Sequence, residues 1–169
     1  MQPLVLRTWL KGSIFIAMGV LLPIAFHVAG AMGPIFLPMH IPVLMAGLLL
    51  GPLVGALVGA LTPICSSLLT GMPPALPSLP IMIPELMVYG WVSGYVRRRW
   101  NLVGALVVAM LAGRLAAGLM VWVMAHWIEL QWGPWVYLAA SVAKGVPGLI
   151  IQLLLIPLVV KRLEGWIHT

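Results

Sequence analysis

The stretch Arg97–Trp127 reads RRRWNLVGALVVAMLAGRLAAGLMVWVMAHW. A basic cluster is followed by an apolar run interrupted by a single arginine, Arg114. A helix needs about 20 apolar residues to cross the hydrocarbon core of a bilayer, and 101–126 supplies them. Arginines at one end of such a run mark the side that stays in the cytoplasm. A lone arginine in its middle is expensive there and usually marks function.

The rest of the chain follows the same pattern. Of its 169 residues, 63% are hydrophobic and only 7% are Asp, Glu, Lys or Arg, with a mean hydropathy of +1.14. An ordinary soluble domain carries about 25% charged residues. So few charges cannot cover a water-facing surface, and so apolar a chain cannot be disordered. An all-α integral membrane protein remains, with room for five to seven spans and none for a separate soluble domain. The net charge of +6 would suggest nucleic acid in a soluble protein. Here the basic residues flank apolar runs as topology signals, and no nucleic-acid partner is implied. The single cysteine, Cys65, excludes an internal disulfide. Residues 1–11 precede an apolar run as in a signal peptide, but no convincing A-x-A site follows, so a retained first span is expected.

Gly and Pro punctuation divides 1–169, a single membrane domain, into six spans: about 11–29, 39–50, 52–70, 79–97, 101–126 and 135–163. With the N-terminus inside, Arg7, Lys11, Arg97, Arg98, Arg99, Lys161 and Arg162 all fall on the cytoplasmic side, and the C-terminus does too. Trp127, Trp132 and Trp135 then belong to the outer aromatic belt. Gly51, Gly55 and Gly59 leave one face of the third span nearly flat for helix packing, and Gly104, Gly113 and Gly118 do similar work on the fifth.

Three ionisable residues fall inside spans. At a rise of 1.5 Å per residue, Glu85 lies ~9 Å, Arg114 ~18 Å and Lys144 ~14 Å below the outer surface. All three share the slab between that surface and the midplane, which points to one interior site with one positive charge to spare. The plain alternative is a structural ion pair with a snorkelling lysine. His40, between Pro38 and Pro42, opens the second span at the same level, whereas His27 and His126 read as interfacial caps. Thr62, Ser66 and Thr70 share a helix face at i, i+4, i+8. With Cys65 and Ser67 they suit a solute pocket, or else bond back to helix carbonyls. No H-E-x-x-H, no G-x-S-x-G and no P-loop occurs, no metal-ligand spacing is present, and no cofactor is implied. An intramembrane Ser–His or Cys–His hydrolase and a purely structural assembly subunit remain as alternative readings.

The runs Leu37-Pro38-Met39-His40-Ile41-Pro42-Val43-Leu44-Met45-Ala46-Gly47, Leu48-Leu49-Leu50-Gly51-Pro52-Leu53-Val54-Gly55, Gly71-Met72-Pro73-Pro74 and Glu85-Leu86-Met87-Val88-Tyr89-Gly90 together resemble the substrate-binding S-components of energy-coupling factor (ECF) transporters. The resemblance covers nearly the whole chain. It implies a prokaryotic cytoplasmic-membrane protein that captures a vitamin, a vitamin precursor or a metal ion from outside. The protein then docks on a transmembrane coupling protein bound to two ATPases. It further implies an outer pocket gated by the loops 30–38 and 71–78, and docking through small residues of the first helix, here Ser13-x-x-x-Ala17. Gln2 stands where the nickel and cobalt branch has a histidine, which argues against that cargo. Substrate-binding positions are expected at His40, Glu85, Arg114, Lys144, Thr62, Cys65, Ser66 and Tyr89. The residues suggest a flat, heteroaromatic or amphipathic solute, with a carboxylate as one option. A corrinoid, ligated by Cys65 or His40, is another.

Overall fold

The computed structural model describes residues 3–28, 36–127 and 133–167. They contain six helices: α1 (Pro3–Val28), α2 (His40–Leu50), α3 (Pro52–Thr70), α4 (Ser78–Arg97), α5 (Leu102–Trp127) and α6 (Pro134–Ile167). Each answers to one of the six expected segments, with α1 starting earlier and α6 running further than expected.

Four of them are long and apolar enough to cross a membrane: Leu6–Phe26 in α1, Pro52–Thr70, Leu102–Trp127 and Trp135–Leu163 in α6. The other two differ for physical reasons. At 11 residues, α2 is too short alone. At 20 residues, α4 is long enough but carries Pro84, Glu85 and Arg97. The outer surface is apolar. Leu111, Leu115 and Leu119, one turn apart on α5, are 63%, 71% and 62% exposed. A continuous leucine face of this kind suits lipid and not water, as expected of a multi-pass membrane protein.

The break between α2 and α3 has a local cause. Gly51 takes φ 93°, which L side chains rarely adopt, and Pro52 begins the next helix where its missing N–H costs nothing. α3 ends at Gly71 in the left-handed region, its N–H donating to the Ser67 carbonyl. Asn101 caps α5 by accepting the Gly104 N–H at 2.7 Å, so this polar residue has a structural role.

Packing is organised around α2, which is almost wholly buried and touches every other helix. The others form an arc about it in the order α1, α3, α4, α5, α6. The tightest junction joins α2, α3 and α4. A Cβ at Gly55 or at Gly90 would overlap the other residue's carbonyl, and one at Gly59 would overlap the Leu86 carbonyl. These backbones can touch only because no side chain intervenes. Gly55 and Gly59 thus form the flat face expected of them, whereas Gly51 serves the break. Gly12 of α1 lies against Val54, and Arg98 approaches Gly51. The starts of α1 and α3 and the end of α4 therefore share one end of the bundle.

Candidate functional site

A cavity of about 670 Å³ opens at the opposite end. Its walls come from Pro23 of α1, the segment 37–39, the Pro-rich loop after α3, the first turns of α4, the later part of α5 and the first turns of α6. Most of the lining is apolar, with Met39, Met72 and Met82 supplying soft, adaptable surface. This size and character fall within the range of small-molecule sites.

The charged groups converge on this cavity. Glu85 of α4 is 3% exposed, and its Oε1 lies 2.9 Å from Arg114 Nη1 of α5 and 3.5 Å from His40 Nε2 of α2. Three helices thus meet through one carboxylate. All three residues line the cavity. Tyr89, one turn along α4 from Glu85, packs its ring edge-on against the His40 ring with centroids 5.1 Å apart. That ring fits because α5 has Gly113 beside Arg114, where a Cβ would lie 2.6 Å from the Tyr89 ring. The Tyr89 hydroxyl is buried beside the same guanidinium but makes no well-formed hydrogen bond. Glu85 thus offsets the buried Arg114, and its loss would leave that charge uncompensated. Arg114 Nε and Nη2 and both His40 ring nitrogens have no hydrogen-bond partner.

Lys144 stands on the α6 wall of the cavity, exposed, and makes no ion pair or hydrogen bond among the described residues. Arg114 approaches α6 one residue further on: a Cβ at Gly145 would lie 3.4 Å from its Nη2. Glu85, Arg114 and Lys144, which share a slab by sequence depth, therefore share one cavity.

A profile of the family described as ECF transporter, substrate-specific component, matches residues 10–160. The chain belongs to this family of S-components. It is therefore the substrate-specific, membrane-embedded binding subunit of an ECF transporter and not itself an enzyme. Neither the curated proteins nor the solved structures compared with the chain give a match.

Other expected positions of this S-component lie elsewhere. Thr62, Cys65 and Ser66 of α3 do not line the cavity. The Thr62 hydroxyl donates to the Val58 carbonyl at 2.6 Å, and its methyl faces Gly19 of α1. Ser66 and Ser67 donate to the carbonyls of Met72 and Pro73 at 2.7 and 2.8 Å, and Thr70 donates to the Ser66 carbonyl. The hydroxyl stripe is thus a clasp that folds the 71–77 loop back over the end of α3. It fixes a loop whose Met72, Pro73, Pro74 and Pro77 line the cavity, and the reading of back-bonded hydroxyls describes Thr62 and Thr70. Cys65 is half-buried on the same helix, outside the lining.

Tyr89 supports the floor from behind and is not a lining residue. Ser13 and Ala17 are exposed on the outward face of α1, with the Ser13 hydroxyl bonded to the Leu10 carbonyl. His126 is exposed and tilted against Trp122. The His27 side chain, Trp132 and most of the expected gating loop 30–38 lie outside the described residues.

Sequence reasoning missed Tyr137 and Ser141, which line the cavity with Lys144. Their spacing of four and then three residues places them on one helix face with Lys144, but the sequence does not say whether that face meets a cavity or lipid. Ser78, Ile81 and Met82, on the face of α4 that ends in Glu85, follow the same rule.

Proposed function

We propose that this S-component captures a vitamin, a vitamin precursor or a related small solute from outside the cell with high affinity. It hands the solute to an ATP-driven module consisting of a transmembrane coupling protein and two ATPase subunits. In this reading the chain spans the cytoplasmic membrane of a prokaryote six times, with both termini inside. His40, Glu85, Arg114 and Lys144 are its substrate-binding residues, with Tyr89 behind them. Ser13 and Ala17 belong to the face presented to the coupling protein.

The observation that carries this reading is the 670 Å³ cavity over the Glu85–Arg114–His40 cluster. It lies at the end remote from Arg98 and the start of α1, and the positive-inside rule turns that end outward. The hydrolase alternative needs a Ser or Cys hydrogen-bonded to a His. Among the described residues His40 has no such partner, and Cys65 is off the cavity. The assembly-subunit alternative needs the charges to pair with no space between them, whereas Lys144 faces a cavity.

Native mass spectrometry of the protein purified in mild detergent tests the proposal. A bound vitamin-sized mass that is lost in Arg114→Ala is expected. An empty protein that gains no thermal stability across a panel of vitamins and precursors overturns it.

A further inference from the structure

We infer that the cavity is selective for solutes carrying a single negative charge on an apolar body, and that Lys144 is the residue that reads this charge. The inference rests on the binding reading above and adds the electrostatic class of the substrate.

The argument starts from the charge composition of the lining. It contains one carboxylate, Glu85, and two basic side chains, Arg114 and Lys144. The carboxylate is committed. It is buried, and the oxygen that meets Arg114 at 2.9 Å is also the one nearest His40. Arg114 is nearly as enclosed, its side chain 11% exposed. As a unit the pair is close to neutral, and cannot also neutralise Lys144. Lys144 is the accessible charge, on a wall otherwise made of Val136, Tyr137, Ala140 and Ser141. Once a solute fills the cavity and displaces its water, an uncompensated ammonium attracts an anion more strongly than in bulk solvent.

The same count sets an upper limit. One surplus positive charge matches a carboxylate or another monoanion. A phosphate monoester, near −2 at neutral pH, would leave a net negative charge beside Glu85. A neutral amide would leave the ammonium as it is. The apolar remainder of the lining, with its three methionines, accepts the body of the solute. Arg114 has a supporting part: its Nη2 abuts α6 beside Lys144, so its positive end adds to the field at the same wall.

The test uses the whole protein, purified in mild detergent from the membranes in which it is made. Small molecules released on denaturation are identified by accurate mass and sorted by anion exchange at pH 7, for the wild type, Lys144→Gln and Lys144→Arg. The wild type should release a species bearing one negative charge. Lys144→Gln should retain it roughly thirtyfold less or worse, the scale expected when one partner of a desolvated charge pair is removed, and Lys144→Arg should restore most of it. Size exclusion and thermal unfolding confirm that each variant is folded. Should Lys144→Gln fail that check, Lys144→Met takes its place.

A released species that is neutral or doubly charged overturns the inference while leaving the binding reading intact. So does equal retention by Lys144→Gln, which would make Lys144 a snorkelling side chain. A wild-type protein that releases nothing overturns the binding reading, and the inference with it.

Discussion

The two ends of α4 obey opposite packing rules. At its C-terminal end Gly90 and Gly94 bring the backbone into contact with α3 and α2, closer than any side chain would allow. At its N-terminal end Ser78, Ile81, Met82 and Glu85 look into a cavity. One helix therefore serves as a weld at one end and a wall at the other. The difference teaches how a small membrane protein can hold open space without collapsing. Lipid provides no hydrophobic drive to press helices together, so cohesion must come from close contact somewhere. Here it is concentrated in the glycine junction, which leaves the other ends of the helices free to splay around a solute.

The comparison breaks most severely at the weld. Gly90→Val should prevent recovery of folded protein, a destabilisation of about 5 kcal/mol or more, because the new side chain meets the Gly55 backbone and not a side chain that can turn aside. Gly104→Ala is the control. Its Cβ would lie 2.9 Å from the capping Asn101 Oδ1 and 3.2 Å from the Trp100 ring, side chains that can turn aside, so its effect should be limited to the cap, at most about 2 kcal/mol. Thermal unfolding in detergent, read by monodispersity on size exclusion, separates the two. Equal tolerance at both positions would mean that the weld does not hold the bundle.

At the wall the next largest effect belongs to Glu85. Glu85→Ala leaves Arg114 buried without its partner and should cost about 3–5 kcal/mol. The double variant Glu85→Ala with Arg114→Met should recover much of that loss, because the lone charge is gone. Both should abolish solute binding. Additive losses in the double variant would show that the two residues do not act as a pair.

Most of the scaffold could be read in advance because membrane segments announce themselves by composition. The six segments, the breaks at Gly51-Pro52 and Gly71, and the shared level of Glu85, Arg114 and Lys144 all follow from local pattern and helix rise. Which polar groups face the solute does not follow. Thr62, Ser66 and Thr70 carry the same stripe whether they line a pocket or fasten a loop. Only the course of 71–77, which returns the Met72 and Pro73 carbonyls to α3, decides between these. Tyr137 and Ser141 were hidden for the converse reason. Nothing in an apolar stretch with one tyrosine and one serine distinguishes a cavity wall from a lipid face until a second helix is placed opposite.

A smaller effect is expected at that clasp. Ser66→Ala and Ser67→Ala each remove one hydrogen bond, worth about 1 kcal/mol. Since the bonds secure a loop of the cavity wall and not the weld, the double variant should cost little melting temperature in the empty protein. It should instead speed solute release, measured as a faster off-rate with nearly unchanged association. A large loss of stability without a change in off-rate would place these hydroxyls in the scaffold instead.

The smallest effect belongs to the lipid face, where the comparison sharpens to a single side chain. Leu115 lies one residue beyond Arg114 on α5, yet it is 71% exposed while the Arg114 side chain is 11% exposed. Successive residues of a helix point about 100° apart, which is enough to carry one into the cavity and the other into the bilayer. Leu115→Ala removes apolar surface that rests against lipid in the folded bundle and would rest against lipid in a separated helix as well. Its effect on stability and on solute binding should therefore stay within about 0.5 kcal/mol, against the several kcal/mol expected at its neighbour's partner. A loss of binding in Leu115→Ala would mean that α5 is rotated from the orientation described, and that the cavity faces a different side of the helix.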